Sequence, residues 1–215
     1  MLIKYDCDYL INNINLLNNI YNEEQQSFYC DYIEKKCIFK NNELPLWLHN
    51  ISKIGSHAFS DCEDLTNIII PNGVTEIGSY AFSSCDNLTN VIMPNSVTHI
   101  GFCAFSSCSS LTNVTIPESV THIENHAFDS CTNLDNIKIP SNVTYIGSGV
   151  FQTCRKLTTI YLHPTTPPTL HGVSAISTAT TKIYVPVGSG DAYKNATNWS
   201  AFADIIFENE DIVIE

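Results

Sequence analysis

The chain reads as an α/β solenoid: stacked 23-residue coils with a parallel β-sheet along one face and short helical or 3-10 turns along the other. Three observations carry that reading. First, five columns of residues recur in phase with a step of 23: Ile54, Ile77, Ile100, Ile123, Ile146; Phe59, Phe82, Phe105, Phe128, Phe151; Cys62, Cys85, Cys108, Cys131, Cys154; Leu65, Leu88, Leu111, Leu134, Leu157; and the pairs Ile70-Pro71, Met93-Pro94, Ile116-Pro117 and Ile139-Pro140. Chance does not hold five columns in phase over so many periods, and a fixed period of this length marks a repeat architecture. Second, each unit contains a segment that alternates apolar-in and variable-out, the period-2 mark of a strand. Third, a lone unit has an apolar stripe with nothing to cover it. Stacking supplies the cover, burying Leu on Leu, Ile on Ile and Phe on Phe.

Within one unit, Leu65 to Ile70 is the strand, and Pro71 ends it because proline cannot donate to a ladder. Val74 and Ile77 turn back inward, and Gly78 permits a tight bend. Ala81, Phe82 and Cys85 lie one helical turn apart, which suits a short helix or 3-10 turn on the far side. The strands make one parallel sheet, with rungs about 4.8 Å apart.

The flanks divide the chain into three parts. Residues 1–50 do not repeat and form an amino-terminal cap: Leu10, Ile14, Leu17 and Tyr21 share a helix face, and Phe28 to Phe39 resembles a hairpin. Residues 51–163 hold five repeats, and residues 164–215 form a closing module. In that module Ile183 and Ile206 continue the 23-residue step from Ile160, giving two more rungs, and Trp199 and Phe202 seal the last of them from water.

The formal net charge of −12 argues against nucleic acid or an anionic membrane as partner, since both need a basic footprint. No stretch approaches the roughly 20 apolar residues of a membrane span. Met1 to Tyr21 is a poor secretory signal, with Asp6 and Asp8 at the head of its apolar run and no small-residue cleavage site after it. Retention inside, another export route and a missing leader stay open. G-x-S-x-G, H-E-x-x-H, the Walker loop and G-x-G-x-x-G are all missing from the sequence, so neither catalytic residues nor a cofactor site is assigned.

The nine Cys form an odd set. The column Cys62 to Cys154 reads as free buried thiols, small hydrophobes in a regular stack, and abundant free thiol suits a reducing or anaerobic setting. Cys7, Cys30 and Cys37 lie in the cap, where pairing among themselves is the lesser alternative. No C-x-x-C spacing points to zinc. His99 and His122 share a column with Glu76 and Tyr145, while His57 and His126 share one with Tyr80 and Cys103. Both columns read as outward loop positions. A metal or thiolate site at Cys103 and His126 is the rival reading, and no third partner supports it.

The unit L-T-N-I-x-I-P-x-x-V-T-x-I-G-x-x-A-F-x-x-C-x-x resembles the BspA-type leucine-rich repeat over roughly residues 51–163. The tail Lys182-Ile-Tyr-Val-Pro-Val-Gly-Ser189, with Ala192-Tyr-Lys194 and Trp199-Ser200, is similar to the closing module of many such proteins. The resemblance implies a right-handed leucine-rich-repeat solenoid. It also implies a surface or secreted protein acting in adhesion, matrix-protein binding or cell–cell contact, with a host or extracellular-matrix protein as partner. A cytoplasmic scaffold for protein–protein interaction is the alternative.

In such a solenoid the concave strand face is open to a partner. Its central outward column is Ile69, Ile92, Thr115, Lys138 and Tyr161, which changes chemistry from rung to rung as a recognition surface does. Ile69 and Ile92 offer apolar area and Tyr161 an amphipathic anchor. The competing reading covers the two isoleucines with the amino-terminal region. Two residues earlier run Asn67, Asn90, Asn113, Asn136 and Thr159. This column borders the surface and reads as a hydrogen-bonded structural ladder before a ligand row.

Overall fold

The computed structural model describes residues 27–28, 52–176 and 181–210. The cap helix of Leu10 to Tyr21, most of the Phe28 to Phe39 hairpin, and Cys7, Cys30 and Cys37 lie outside the described residues.

The repeats wind into coils that each place two short strands beside their counterparts one coil away. The Leu-Thr-Asn segment of the units gives β3 (Asn67–Ile69), β5 (Asn90–Ile92), β7 (Asn113–Thr115), β9 (Asn136–Ile139) and β11 (Thr159–Leu162). The closing module adds β13 (Lys182–Pro186) and β14 (Ile206–Asn209) to this face. Pairing is parallel, with Ile160 opposite Ile183 and Ile183 opposite Ile206, so both further rungs stand where the 23-residue step puts them.

A second parallel sheet was not foreseen. The Val-Thr-x-Ile segment supplies β2 (Lys53–Ile54), β4 (Glu76–Ile77), β6 (His99–Ile100), β8 (His122–Ile123) and β10 (Tyr145–Ile146). With β1 (Ser27–Phe28) before them and β12 (Thr169–Leu170) after, they form a seven-stranded sheet. Ser27–Phe28 pairs parallel with Lys53–Ile54, which places it as one more rung ahead of the repeats.

The single strand sheet read from the sequence is in fact two: β3-β5-β7 and β9-β11-β13-β14. The break coincides with a change in one polar column. In the column that opens each strand, Thr89 donates both its N–H (2.7 Å) and its hydroxyl (2.9 Å) to the Thr66 carbonyl. Thr112 does the same to Thr89, now at 3.4 Å for both bonds. The next member is Asp135, whose ionised side chain has no proton to give. Its Oδ1 instead accepts the Asn136 amide at 2.7 Å, and the ladder to Thr112 is absent among the described bonds. Thr158 resumes it, donating to the Asp135 carbonyl.

The interior is a set of columns. Phe59, Phe82, Phe105, Phe128 and Phe151 stack with centroids 5.2, 5.2, 5.4 and 6.0 Å apart. Each is buried, as are the Ile, Leu, Val and Ala columns around them. A buried Phe or Ile contributes about 1.5–3 kcal/mol, so every interior coil is held mainly by its two neighbours.

On the side opposite the strand face the chain turns by i→i−3 bonds, for example Ala81 N–H to Gly78 O and Ser83 N–H to Tyr80 O. No helix propagates there. Two residues per coil take positive φ: His57, Tyr80, Cys103, His126 and Gly149 in one column, and Asp61, Ser84, Ser107, Ser130 and Thr153 in the other. These left-handed residues stop each turn after one bond and aim alternate N–H groups along the stack. Phe59, Phe82, Phe105 and Phe128 thus donate to Ala81, Ala104, Ala127 and Val150 of the next coil, at 2.7–3.0 Å. Gly78 likewise serves the stack rather than a bend. A Cβ on it would lie 2.7 Å from the Ile54 carbonyl oxygen, so glycine there lets two coils approach.

The closing module is pinned by its aromatic side chains. Trp199 Nε1 donates to the Pro168 carbonyl at 2.7 Å, and the buried Tyr193 hydroxyl donates to the Pro164 carbonyl at 2.8 Å. Helix α1 (Gly190–Asn195) and the 3-10 helix Trp199–Ile205 carry these groups, with Phe202 also buried. The Glu208 carboxylate of β14 accepts the Gly190 N–H at 2.7 Å. That bond, a second from the Gly188 N–H and the charge of Lys194 hold its pKa below the ordinary carboxylate value.

Two predictions follow from these contacts. Asp135→Thr should rejoin the strand-opening ladder and raise stability by about 1 kcal/mol, read as a higher urea midpoint with unchanged slope. Glu208 has a lowered folded pKa, so its stabilisation is present at neutral pH and is lost as pH falls through that value. The gap in thermal midpoint between wild type and Glu208→Gln should therefore be widest at neutral pH and close in acid. A gap that persists in acid would rule out the carboxylate as its source.

Candidate functional site

The strand face presents the side chains that the inward columns exclude. Along β3 and β5 the pattern is half-buried, buried, exposed, which leaves Ile69 and Ile92 outward at 42% and 49% exposure. Thr115 and Lys138 are exposed on β7 and β9. Tyr161 is half-buried because Tyr184 lies against it, rings parallel to within 17° and centroids 5.5 Å apart. The row continues through Tyr184 to Phe207, 6.0 Å further on. Sequence reasoning stopped at Tyr161, although its own step of 23 reaches Tyr184 and then Phe207. The structure therefore brings Ile69, Ile92, Thr115, Lys138 and Tyr161 onto one face, with the sheet break between Thr115 and Lys138.

Asn67, Asn90, Asn113 and Asn136 run beside them, the first two half-buried and the others exposed. They are not an amide ladder. Asn67 bonds with Thr66 and Thr89, Asn136 with Asp135, and no bond joins one of these amides to the next among the described residues. Threonine carries the polar ladders instead, because a hydroxyl beside the backbone reaches the carbonyl directly across the coil boundary. On the second sheet Thr75, Thr98, Thr121 and Thr144 each donate to the carbonyl of Ser52, Thr75, Thr98 and Thr121.

The histidine columns differ from the loop positions expected of them. His99 and His122 stand on β6 and β8, stacked at 4.7 Å, and Tyr145 follows at 5.7 Å. Thr98 Oγ1 lies 2.8 Å from His99 Nδ1 as well as 3.0 Å from the Thr75 carbonyl oxygen. Thr121 Oγ1 likewise lies 2.9 Å from His122 Nδ1 and 3.2 Å from the Thr98 carbonyl oxygen. In the other column Cys103 is buried rather than outward. Burial pushes its thiol pKa up; the side-chain hydrogen bonds that oppose this come from Tyr80 and Ser106. His126 faces Asp129 at 3.5 Å. No group of three or more His, Cys, Asp or Glu is placed to hold a metal among the described residues.

The cysteine column also needs one correction. Cys85, Cys108, Cys131 and Cys154 are free and buried, but Cys62, at the head of the column, is disulfide-bonded. The four thiols donate to the carbonyls of Phe59, Phe82, Phe105 and Phe128 at 3.0–3.2 Å, which explains why a weak donor recurs here rather than alanine or valine. Burial drives the thiol pKa of Cys85 and Cys154 to about 12, and those of Cys108 and Cys131 are also raised well above the ordinary value. A soluble aromatic disulfide should leave all four unmodified in the folded protein and react with all four after denaturation, as read by peptide mapping. Modification of any of them under native conditions would contradict the packing described.

Stacked parallel coils, an exposed and chemically varied strand row, and polar ladders that satisfy the backbone define a leucine-rich-repeat solenoid. The chain belongs to the BspA-type leucine-rich-repeat family, whose pattern matches residues 50–167 in 6 copies. Solved structures agree. The T. pallidum leucine-rich repeat protein is 28% identical with a TM-score of 0.58, the match covering 66% of each chain. A leucine-rich repeat protein from Bacteroides ovatus is 28% identical with a TM-score of 0.50, over 63% of this chain and 43% of that one. The pneumococcal vaccine antigen PcpA shares the fold at 18% identity and a TM-score of 0.55, over 76% of this chain and 44% of that one. Under two thirds of each of these proteins is therefore matched. No curated protein matches the chain. No helix among the described residues is long and apolar enough to cross a membrane.

Proposed function

We propose that this chain is a non-enzymatic protein-binding module that engages its partner across the strand face, and that it works at the cell surface or after secretion. The observation that carries the reading is the contrast between columns. Inward columns stay apolar from coil to coil and several keep a single residue type, while Ile69, Ile92, Thr115, Lys138 and Tyr161 change type at every step but one and remain at least partly open to solvent. Packing constrains the first kind and leaves the second free to match a partner. Asn67, Asn90, Asn113 and Asn136 border the contact. Ile69 and Ile92 supply adjacent apolar area, and Tyr161 supplies the amphipathic anchor typical of interface centres.

Placement outside the cell is supported by the habit of the family and by the disulfide at Cys62, which suits an oxidising compartment. The free thiols do not oppose it. They are buried with raised pKa, and so survive oxidising surroundings unreacted.

A Tyr161→Ala, Lys138→Glu double variant tests the face. Affinity for a protein captured by the wild-type repeats should fall at least about tenfold, with the unfolding midpoint little changed. Full affinity in the folded variant would move the contact to another surface.

A further inference from the structure

We infer that the carboxy-terminal half of the strand face is built for an acidic, apolar-bearing segment of a protein partner; the inference rests on the strand-face reading above and adds the partner's chemistry to it. The two outward columns of the face, from Asn67 to Lys182 and from Ile69 to Phe207, contain no Asp or Glu, although the chain has 22 of them against 10 Lys and Arg. What charge they hold is positive: Lys138 on β9 and Lys182 on β13, both exposed.

The turns that enter these strands sharpen the pattern. Corresponding positions read Glu63-Asp64 before β3, Asp86-Asn87 before β5, Ser109-Ser110 before β7, Thr132-Asn133 before β9 and Arg155-Lys156 before β11. One stripe thus passes from acidic to neutral to basic along the stack. Arg155 and Lys156 are exposed, and Lys182 pairs across the strands with Thr159, three residues after Lys156. Four of the six Lys and Arg among the described residues (Lys53, Lys138, Arg155, Lys156, Lys182 and Lys194) therefore belong to this half of the face: Lys138 stands opposite Tyr161, Lys182 opens the strand that carries Tyr184, and Arg155 and Lys156 lie in the turn that leads into the strand of Tyr161. None of the four makes an ion pair among the described residues, whereas Lys53 meets Glu76 at 2.6 Å.

The nearest carboxylates are already engaged or lie at the margin. Asp135 accepts from Asn136, and Glu208 from Gly190. Unpaired cations around a half-buried aromatic pair on an otherwise acidic protein form a complementary field for carboxylates, which raises the encounter rate and excludes basic partners. The ring edges of Tyr161 and Tyr184 and the exposed Phe207 give apolar side chains of the same segment a place to dock. Bare polyanions lack that second contact.

The test is a titration of the full chain, followed by fluorescence anisotropy, with a labelled peptide of repeating Glu-Leu-Ser and with its Gln-Leu-Ser and Lys-Leu-Ser counterparts. The Glu peptide should bind roughly fivefold or more tightly than the Gln peptide at low ionic strength, and the Lys peptide more weakly still. The preference should shrink in 1 M salt, where the screening length falls to about 3 Å. Lys138→Gln, Arg155→Gln, Lys156→Gln and Lys182→Gln together should abolish it, with the unfolding midpoint retained, while Lys194→Gln should not. Equal binding of the Glu and Gln peptides, or a preference that survives the fourfold variant, overturns the inference. So does single-stranded DNA binding as tightly as the Glu peptide, since it would make the apolar docking idle, and so does self-association of the chain that competes with the peptide through the Glu63-Asp64 end. The two readings fail separately: a partner lost on Tyr161→Ala alone but indifferent to the fourfold variant keeps the strand face and removes the acidic assignment.

Discussion

The structure depends on one constraint, the fixed register between a coil and the next. A residue sits beside its counterpart 23 positions away, and the backbone bonds that hold the register run along the stack at every side of the coil. Two sides do this with short parallel strands. The far side does it with tandem turns whose left-handed residues aim alternate N–H groups forward. Once the register is set, each core position becomes a column, and its residue must suit neighbours above and below of the same kind. Flat rings stack, small residues let backbones approach, and hydroxyls reach the carbonyl of the coil before. A single coil could satisfy none of these groups alone.

The polar columns show how narrow the tolerated chemistry is. Threonine keeps a methyl and a donor beside the backbone, so it joins its own N–H in bonding one carbonyl. Aspartate at 135 has similar size but no proton, and the strand sheet parts there. The cysteine column follows the same rule inside the core. Its thiols are small enough to pack and still offer a weak hydrogen to a carbonyl of the coil before. Apolar and polar ladders are thus one device, the repetition of a side chain that fits against itself.

Most of the core was legible in the sequence because phase is a global signal. Phe82 and Phe105 are bound to stack if Cys, Leu and Ile all keep the same step, and the two late rungs at Ile183 and Ile206 follow by addition. Conformation was less legible than placement. The spacing of Ala81, Phe82 and Cys85 fits a helix, and nothing in His57, Tyr80, Cys103 or His126 announces a left-handed residue; only Gly149, in the same column, carries a hint. The second sheet was hidden because two-residue strands such as Glu76–Ile77 are too short to alternate visibly. The outward row on the face was readable as positions. Its extension through Tyr184 and Phe207 needed only the same step, whereas the stacking that half-buries Tyr161 is a property of neighbours and required coordinates.

That difference between inward and outward columns is also what makes the fold usable for recognition. Inside, a change in one coil is felt by two others, because a cavity or an unsatisfied carbonyl opens on both sides. Outside, Ile92, Thr115 and Lys138 follow one another on successive rungs without entering the core. The backbone then offers a rigid ruler with rungs about 4.8 Å apart, on which side-chain chemistry is written one rung at a time. Sorting charge along such a ruler, acidic turns at one end and basic turns at the other, requires no change in the interior. A surface so arranged has a direction, and a partner that reads it is held in one orientation by the order of the rungs rather than by the shape of any single pocket.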